Sequence, residues 1–156
     1  MAAPFHFIKR KVEDGFAAVL TFLAGSNLSG VALVKGLAGS ALSTPRVEII
    51  AHTATPEIIG DTVTGNWMVE LTVNVITEYS DTTRAVHASN CGYVEDVIMR
   101  DDIPSQINTT GEVTDFTVFN GAMGWLPGAS TDLVNGDDEY MSQYDVTVYC
   151  APTTFA

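Results

Sequence analysis

His87 and Cys91 stand four positions apart in a segment with helical periodicity. That spacing puts both side chains on one helix face. There an imidazole can serve as base to a thiol, or the two can share a metal ion. Zinc, however, takes three or four ligands. The other candidates, His6, His52, Cys150 and scattered acids, fall at no recognisable spacing. A buried thiol beside an ordinary helix histidine is the simpler reading, so we expect no metal and no catalytic thiol. Two acidic groups, Asp101-Asp102 and Asp137-Asp138-Glu139, carry the carboxylates that acid–base or calcium chemistry needs. The segment from Asp132 to Glu139 lacks the alternating ligands of a calcium loop, which leaves solvated loop acids. Gly-Leu-Ala-Gly-Ser at 36–40 lacks the lysine of a phosphate cradle, and there is no Gly-x-Ser-x-Gly elbow. No cofactor motif is present, and the chain reads as a non-enzyme.

The elements that must position these residues follow from periodicity. Val12, Phe16, Val19, Leu20 and Leu23 form one stripe, which predicts a helix over Val12–Ala24 stopped by Gly25. The segment Ser26–Thr44 is small and glycine-rich, with a short helix expected around Val31–Leu37. Arg46–Ala54 alternates as a strand that closes at Pro56, and a loop is expected over Glu57–Gly65. Trp67–Tyr79 is the clearest strand. Val69, Leu71, Val73 and Val75 face one way, and Glu70, Thr72 and Asn74 the other. At about 3.3 Å per residue it exceeds ~40 Å, long enough to project beyond its own core. Ser80 or Asp81 opens a second helix that runs to about Arg100 with Ala88, Cys91, Val94 and Ile98 inward. A strand is expected at Asp115–Phe119, a long loop at Asn120–Asp138, and a last strand at Glu139–Cys150. In that strand Ser142 interrupts a stripe of Tyr140, Tyr144, Val146, Val148 and Cys150. The expected fold is α+β: a mainly antiparallel four-stranded sheet of two hairpins packed against helices. The expected order is helix, strand, strand, helix, strand, strand.

One domain spanning residues 1–156 fits the length. Nineteen acids against seven bases give a formal net charge of −12, which excludes gripping nucleic acid through its phosphates or being drawn to an anionic membrane. No segment is apolar enough to span a bilayer. Lys9, Arg10 and Lys11 precede the apolar run Phe16–Leu23, but Glu13 and Asp14 intervene, so no signal peptide is expected. Cys91 and Cys150 form no disulfide framework and suit reduced thiols in a chain made in a cytoplasm. Charged residues are only 17% of the chain, against about 25% in ordinary domains. This suggests apolar surface that something else covers. The candidates are Ile58 and Ile59 near the first hairpin tip, and Met123, Trp125 and Leu126 among the glycines of the long loop. Trp125 either tucks onto its own core or docks on a neighbour.

The succession of Pro45-Arg46-Val47-Glu48-Ile49, Trp67 to Val75, Ser80-Asp81-Thr82-Thr83-Arg84-Ala85, Phe116-Thr117-Val118-Phe119 and Tyr144 to Cys150 has a familiar order. Preceded by an amphipathic helix, it resembles the tail terminator proteins of tailed phages and the related tail-completion proteins of the head–tail junction. The likeness covers about residues 7–152 and rests on element order, since that family has no catalytic signature. It implies an α/β sandwich that forms a hexameric ring, a virion protein assembled in the host cytoplasm. The ring would cap the tail tube, join it to the neck or head-completion protein, and pass DNA through its lumen without specific binding. Asp101, Asp102, Asp137 and Asp138 are then candidates for an acidic lumen wall that repels phosphates. Ser26–Thr44 departs most from a minimal member. Alternatives from the residues are another connector or tail protein, a cytoplasmic α+β dimer holding a small apolar ligand, and an enzyme using His87 and Cys91.

Overall fold

The computed structural model describes residues 4–36, 44–78, 81–110, 116–119, 123–135 and 139–152. The elements are α1 (Pro4–Ala24), a 3-10 turn (Gly25–Leu28), β1 (Ala32–Lys35), β2 (Arg46–Ile59), β3 (Thr62–Glu78), α2 (Asp81–Ile98), α3 (Ile103–Thr109), β4 (Phe116–Val118), β5 (Trp125–Asn135) and β6 (Glu139–Pro152). The sheet has six strands, in the order β1-β2-β3-β6-β4, with β5 also paired to β6. It is mixed, because β1 runs parallel to β2 while the other pairings are antiparallel. This overturns the expected four-stranded sheet of two hairpins. The order is helix, three strands, two helices, three strands. The short helix expected at Val31–Leu37 is the strand β1, and the long loop expected at Asn120–Asp138 contains the eleven-residue strand β5. A third helix, α3, follows α2, with Pro104 in its first turn and Ile103 and Ile107 buried.

One sheet face carries the core. Val47, Ile49 and Ala51 of β2, the odd-numbered residues Trp67–Val75 of β3, and Tyr144, Val146, Val148 and Cys150 of β6 share it. Burying each such aliphatic side chain contributes about 1.5–3 kcal/mol. A bulge at His52 shifts the register so that Ala54 still meets this core after Ala51. Helix α1 lays Ile8, Val12, Phe16, Val19 and Leu20 across β2 and β3. Its direction is fixed by three contacts. Phe5 meets the Trp67 ring edge-on at 5.1 Å, Glu13 accepts the Ala51 N–H at 2.8 Å, and Asp14 pairs with Lys35 at 2.9 Å. Burial raises the Glu13 carboxyl pKa more than the Ala51 hydrogen bond lowers it.

The opposite face is polar. Arg46 reaches Glu48 at 3.0 Å and Glu139 at 3.3 Å, Asn74 donates to Glu48, and Thr72 donates to Asp145. Ile76 is fully buried outside the main core, registered between Arg46 on β2 and Met141 on β6.

Strand β3 ends its pairing with β6 at Trp67, opposite Cys150. Residues Thr62–Asn66 therefore continue past it, paired among the described residues only with the end of β2. Pro56 does not close β2, which runs on to Ile59. The expected loop over 57–65 is thus a two-stranded arm about 15–20 Å long. Gly60, at φ 61, makes its turn. Ile58, Ile59 and Val63 at its tip are 60–65% exposed. On the outer side, β1 covers β2 only from Arg46 to Ile49.

Candidate functional site

The residues with chemistry gather where α2 crosses the β5–β6 hairpin, in a cleft of about 490 Å³. The helix places His87 and Cys91 one turn apart on the face that meets the sheet. The sheet supplies Asp132 from β5 and Ser142 and Tyr144 from β6, with Asp132 registered opposite Ser142. Cys91 Sγ lies 3.5 Å from His87 Nε2, which lies 3.0 Å from Ser142 Oγ. Ser142 donates to Asp132 Oδ1 at 2.7 Å, and one turn along, Tyr144 donates to Glu95 at 2.6 Å. Tyr140 flanks the imidazole at 5.6 Å, with Arg84 over the same ring.

The direction of these bonds decides what the pair can do. Ser142 has one proton, and it goes to Asp132. Its oxygen can therefore meet His87 Nε2 only by accepting that nitrogen's proton. His87 Nδ1 is buried without a hydrogen-bond partner, which suits a neutral ring with the proton on Nε2. Burial lowers the His87 pKa and outweighs the opposing pull of Asp132. Burial likewise raises the Cys91 thiol. A nitrogen that already carries a proton cannot take one from Cys91. In this geometry the pair is not an activated thiolate. Among the described residues no three His, Cys, Asp or Glu side chains converge on a metal position. The arrangement is a hydrogen-bonded clasp that fixes α2 on the hairpin.

A pH dependence follows. With its folded pKa below its ordinary value of 6.5, His87 binds protons more readily in the unfolded chain. Stability is therefore lost as pH falls from about 6.5 through the folded value. Thermal unfolding followed from about pH 7 to pH 5 should show this limb. His87→Gln, which keeps a donor toward Ser142, should flatten it.

A second concavity, of about 770 Å³, runs over the solvent side of α1 between β1 and α3. Ala17, Ala18, Leu33 and the largely exposed Phe22 line it, and Lys35 and Asp14 stand at its edge.

The interface candidates fall in two places. Ile58 and Ile59 lie exposed on the arm. Met123 and Leu126 are exposed at the start of β5, which β3 and β6 separate from β2. Trp125 is only 4% exposed. Its ring stacks on Phe16 at 5.1 Å, and its indole N–H donates to the Ile98 carbonyl at 2.9 Å. It is a core residue with no face to offer a partner. Of the acidic candidates, Asp101 is exposed. Both oxygens of Asp102 are held by Arg100 at 2.7 Å, which pulls its carboxyl down to about 2 and matches its charge with a cation. Asp137 and Asp138 lie outside the described residues. Sequence reasoning missed Asp132, Glu95, Ser142 and Tyr144 as partners of His87 and Cys91. The one available signal was Ser142, a hydroxyl in an otherwise apolar stripe.

The fold so defined is a three-helix, six-stranded mixed α/β domain with a projecting arm. No protein-family model matches its sequence, and no curated protein matches it.

Proposed function

We propose that this chain is a structural ring protein of the tail-terminator kind. Copies join head to tail into a closed, six-membered ring that caps a tail tube, meets the neck, and lets DNA pass through its lumen. The observation that carries the reading is the arm. It places Ile58, Ile59 and Val63 60–65% exposed, beyond the surface that the described residues of its own body offer. Exposed β-branched residues on a projecting hairpin are what a heterologous, ring-closing contact needs. The low charge content supports the same conclusion. So does the distribution of the charge: residues 101–156 hold nine acids and no Lys or Arg. A lumen lined by that segment would repel phosphate rather than hold it.

The competing reading, a dimer around a small apolar ligand, has less support. The cleft under α2 is lined by hydrogen-bonded polar groups, and the space between α1 and the sheet is filled by packed side chains. Intact mass by native mass spectrometry and sedimentation, over a wide concentration range, tests the proposal. A discrete assembly, with a ring visible by electron microscopy, is expected. A chain that stays monomeric throughout overturns it.

A further inference from the structure

We infer that the arm of one copy seats in the groove over α1 of the next copy, with Ile58, Ile59 and Val63 on the floor formed by Ala17, Ala18, Phe22 and Leu33. The inference rests on the ring reading above and names its contact.

Three observations carry it. The first is apolar complementarity. The groove has the volume of a site that encloses a drug-sized molecule, ample for three short β-branched side chains, and its floor is apolar. Phe22 stands 74% exposed at its edge, a large ring with nothing packed over it among the described residues.

The second is charge. Residues 1–35 carry four bases against two acids, whereas residues 36–156 carry three against seventeen. The groove is built mainly from that first segment, and Lys35 stands half-exposed at its rim. The arm has Glu57 and Asp61 beside its apolar tip, and no Lys or Arg occurs between Arg46 and Arg84. Within the groove Lys35 is paired with Asp14 at 2.9 Å, so the complementarity lies with the net-basic segment as a whole, the one part of a −12 copy that an acidic arm approaches without facing net negative charge.

The third is geometry. The arm cannot fold into its own groove. Phe5 of α1 packs on Trp67 at the arm's base. From there α1 runs back along β2, meeting Ala51 through Glu13 and then Lys35 of β1 through Asp14. The groove residues Ala18 and Phe22 lie about 20–25 Å further along that helix axis than Phe5, while the arm points the other way. An occupant with this chemistry must come from another copy. Because arm and groove are different surfaces, each copy offers one of each, and the chain of contacts can close.

The test uses Ile59→Cys with Ala18→Cys in one chain under mild oxidation. Cys91 and Cys150 are buried and do not compete. An intermolecular ladder that ends at the ring is expected, with neither single variant producing it. Separately, Ile58→Asp with Ile59→Asp should weaken assembly at least tenfold and leave the unfolding temperature unchanged, since both side chains are in water. Phe22→Asp should do the same from the groove side. Mixing the arm-defective and groove-defective chains should give dimers and nothing larger, because each pair has a single intact contact. If the ring forms but survives the arm substitutions, or if Ile59→Cys alone cross-links tip to tip, the docking is wrong and the ring reading stands. If the unmodified chain never assembles, both fall.

Discussion

Replacing Trp125 with alanine should cost roughly 3–5 kcal/mol of folding stability, as buried aromatic truncations do. The ring joins three parts of the molecule: Phe16 of α1 by stacking, the last carbonyl of α2 by its indole N–H, and β6 through the backbone of β5. Truncation opens a cavity between α1 and the sheet and leaves the Ile98 carbonyl buried without its donor. Trp125→Phe should recover most of the packing but not that hydrogen bond, and so fall between the two. Urea unfolding of the monomeric state reads both losses. An unchanged midpoint with impaired assembly would mean that the indole faces a partner after all.

Arg46→Ala carries the second large effect, about 3 kcal/mol. The guanidinium is 91% buried in its side chain and sits between Glu48 and Glu139 on the polar face. Removing it leaves two carboxylates, themselves mostly shielded from water, facing each other across β2, β3 and β6 with no cation between them. Much of the loss comes from those stranded charges, not from the absent bonds. A chain with Arg46→Met, Glu48→Leu and Glu139→Leu together should therefore be considerably more stable than Arg46→Ala alone. Chemical unfolding of the two variants distinguishes a working ion cluster from one whose partners merely tolerate it. If the triple variant is the less stable, the cluster contributes net stability beyond what apolar packing would give.

The parts legible in the sequence were those whose burial is written in a local period. The α1 stripe of Val12, Phe16, Val19 and Leu20, the alternation of β3, and the inward row of Cys91, Val94 and Ile98 on α2 each depend on one face meeting one core, while the expected cap at Ser80 lies outside the described residues. Strand β5 has no such pattern. Pro127, Gly128 and the polar run after them read as loop, and the segment is a strand only because β6 offers it a ladder. A Cβ at Gly128 would sit 3.3 Å from the Asp145 carbonyl oxygen, a tight contact that favours glycine. Short β1 likewise exists by pairing with β2. Helix α3 was nearer to legible: Pro104 in the first turn and Ile103 four residues before Ile107 are start and face signals. At the cleft, the spacing of His87 and Cys91 was visible, but their partners arrive from strands more than forty residues away. Which nitrogen carries the proton depends on those partners.

The uncovered outer side of β2 has a further consequence. Beyond Ile49 its backbone groups on that side have no neighbouring strand among the described residues, and such a row is a template for open-ended strand addition, the first step toward fibres. Three features interrupt the template, the first being Glu13, which already takes the Ala51 N–H. The bulge at His52 breaks its flatness, and Pro56 removes one N–H from the row. Proline is tolerated within a ladder only where its missing donor faces no partner, so its gap belongs to the open side. The same arm that presents apolar side chains is thus poorly suited to extending a sheet through its backbone. A chain with Pro56 replaced by a β-branched residue would keep the tip and lose that protection against open-ended growth.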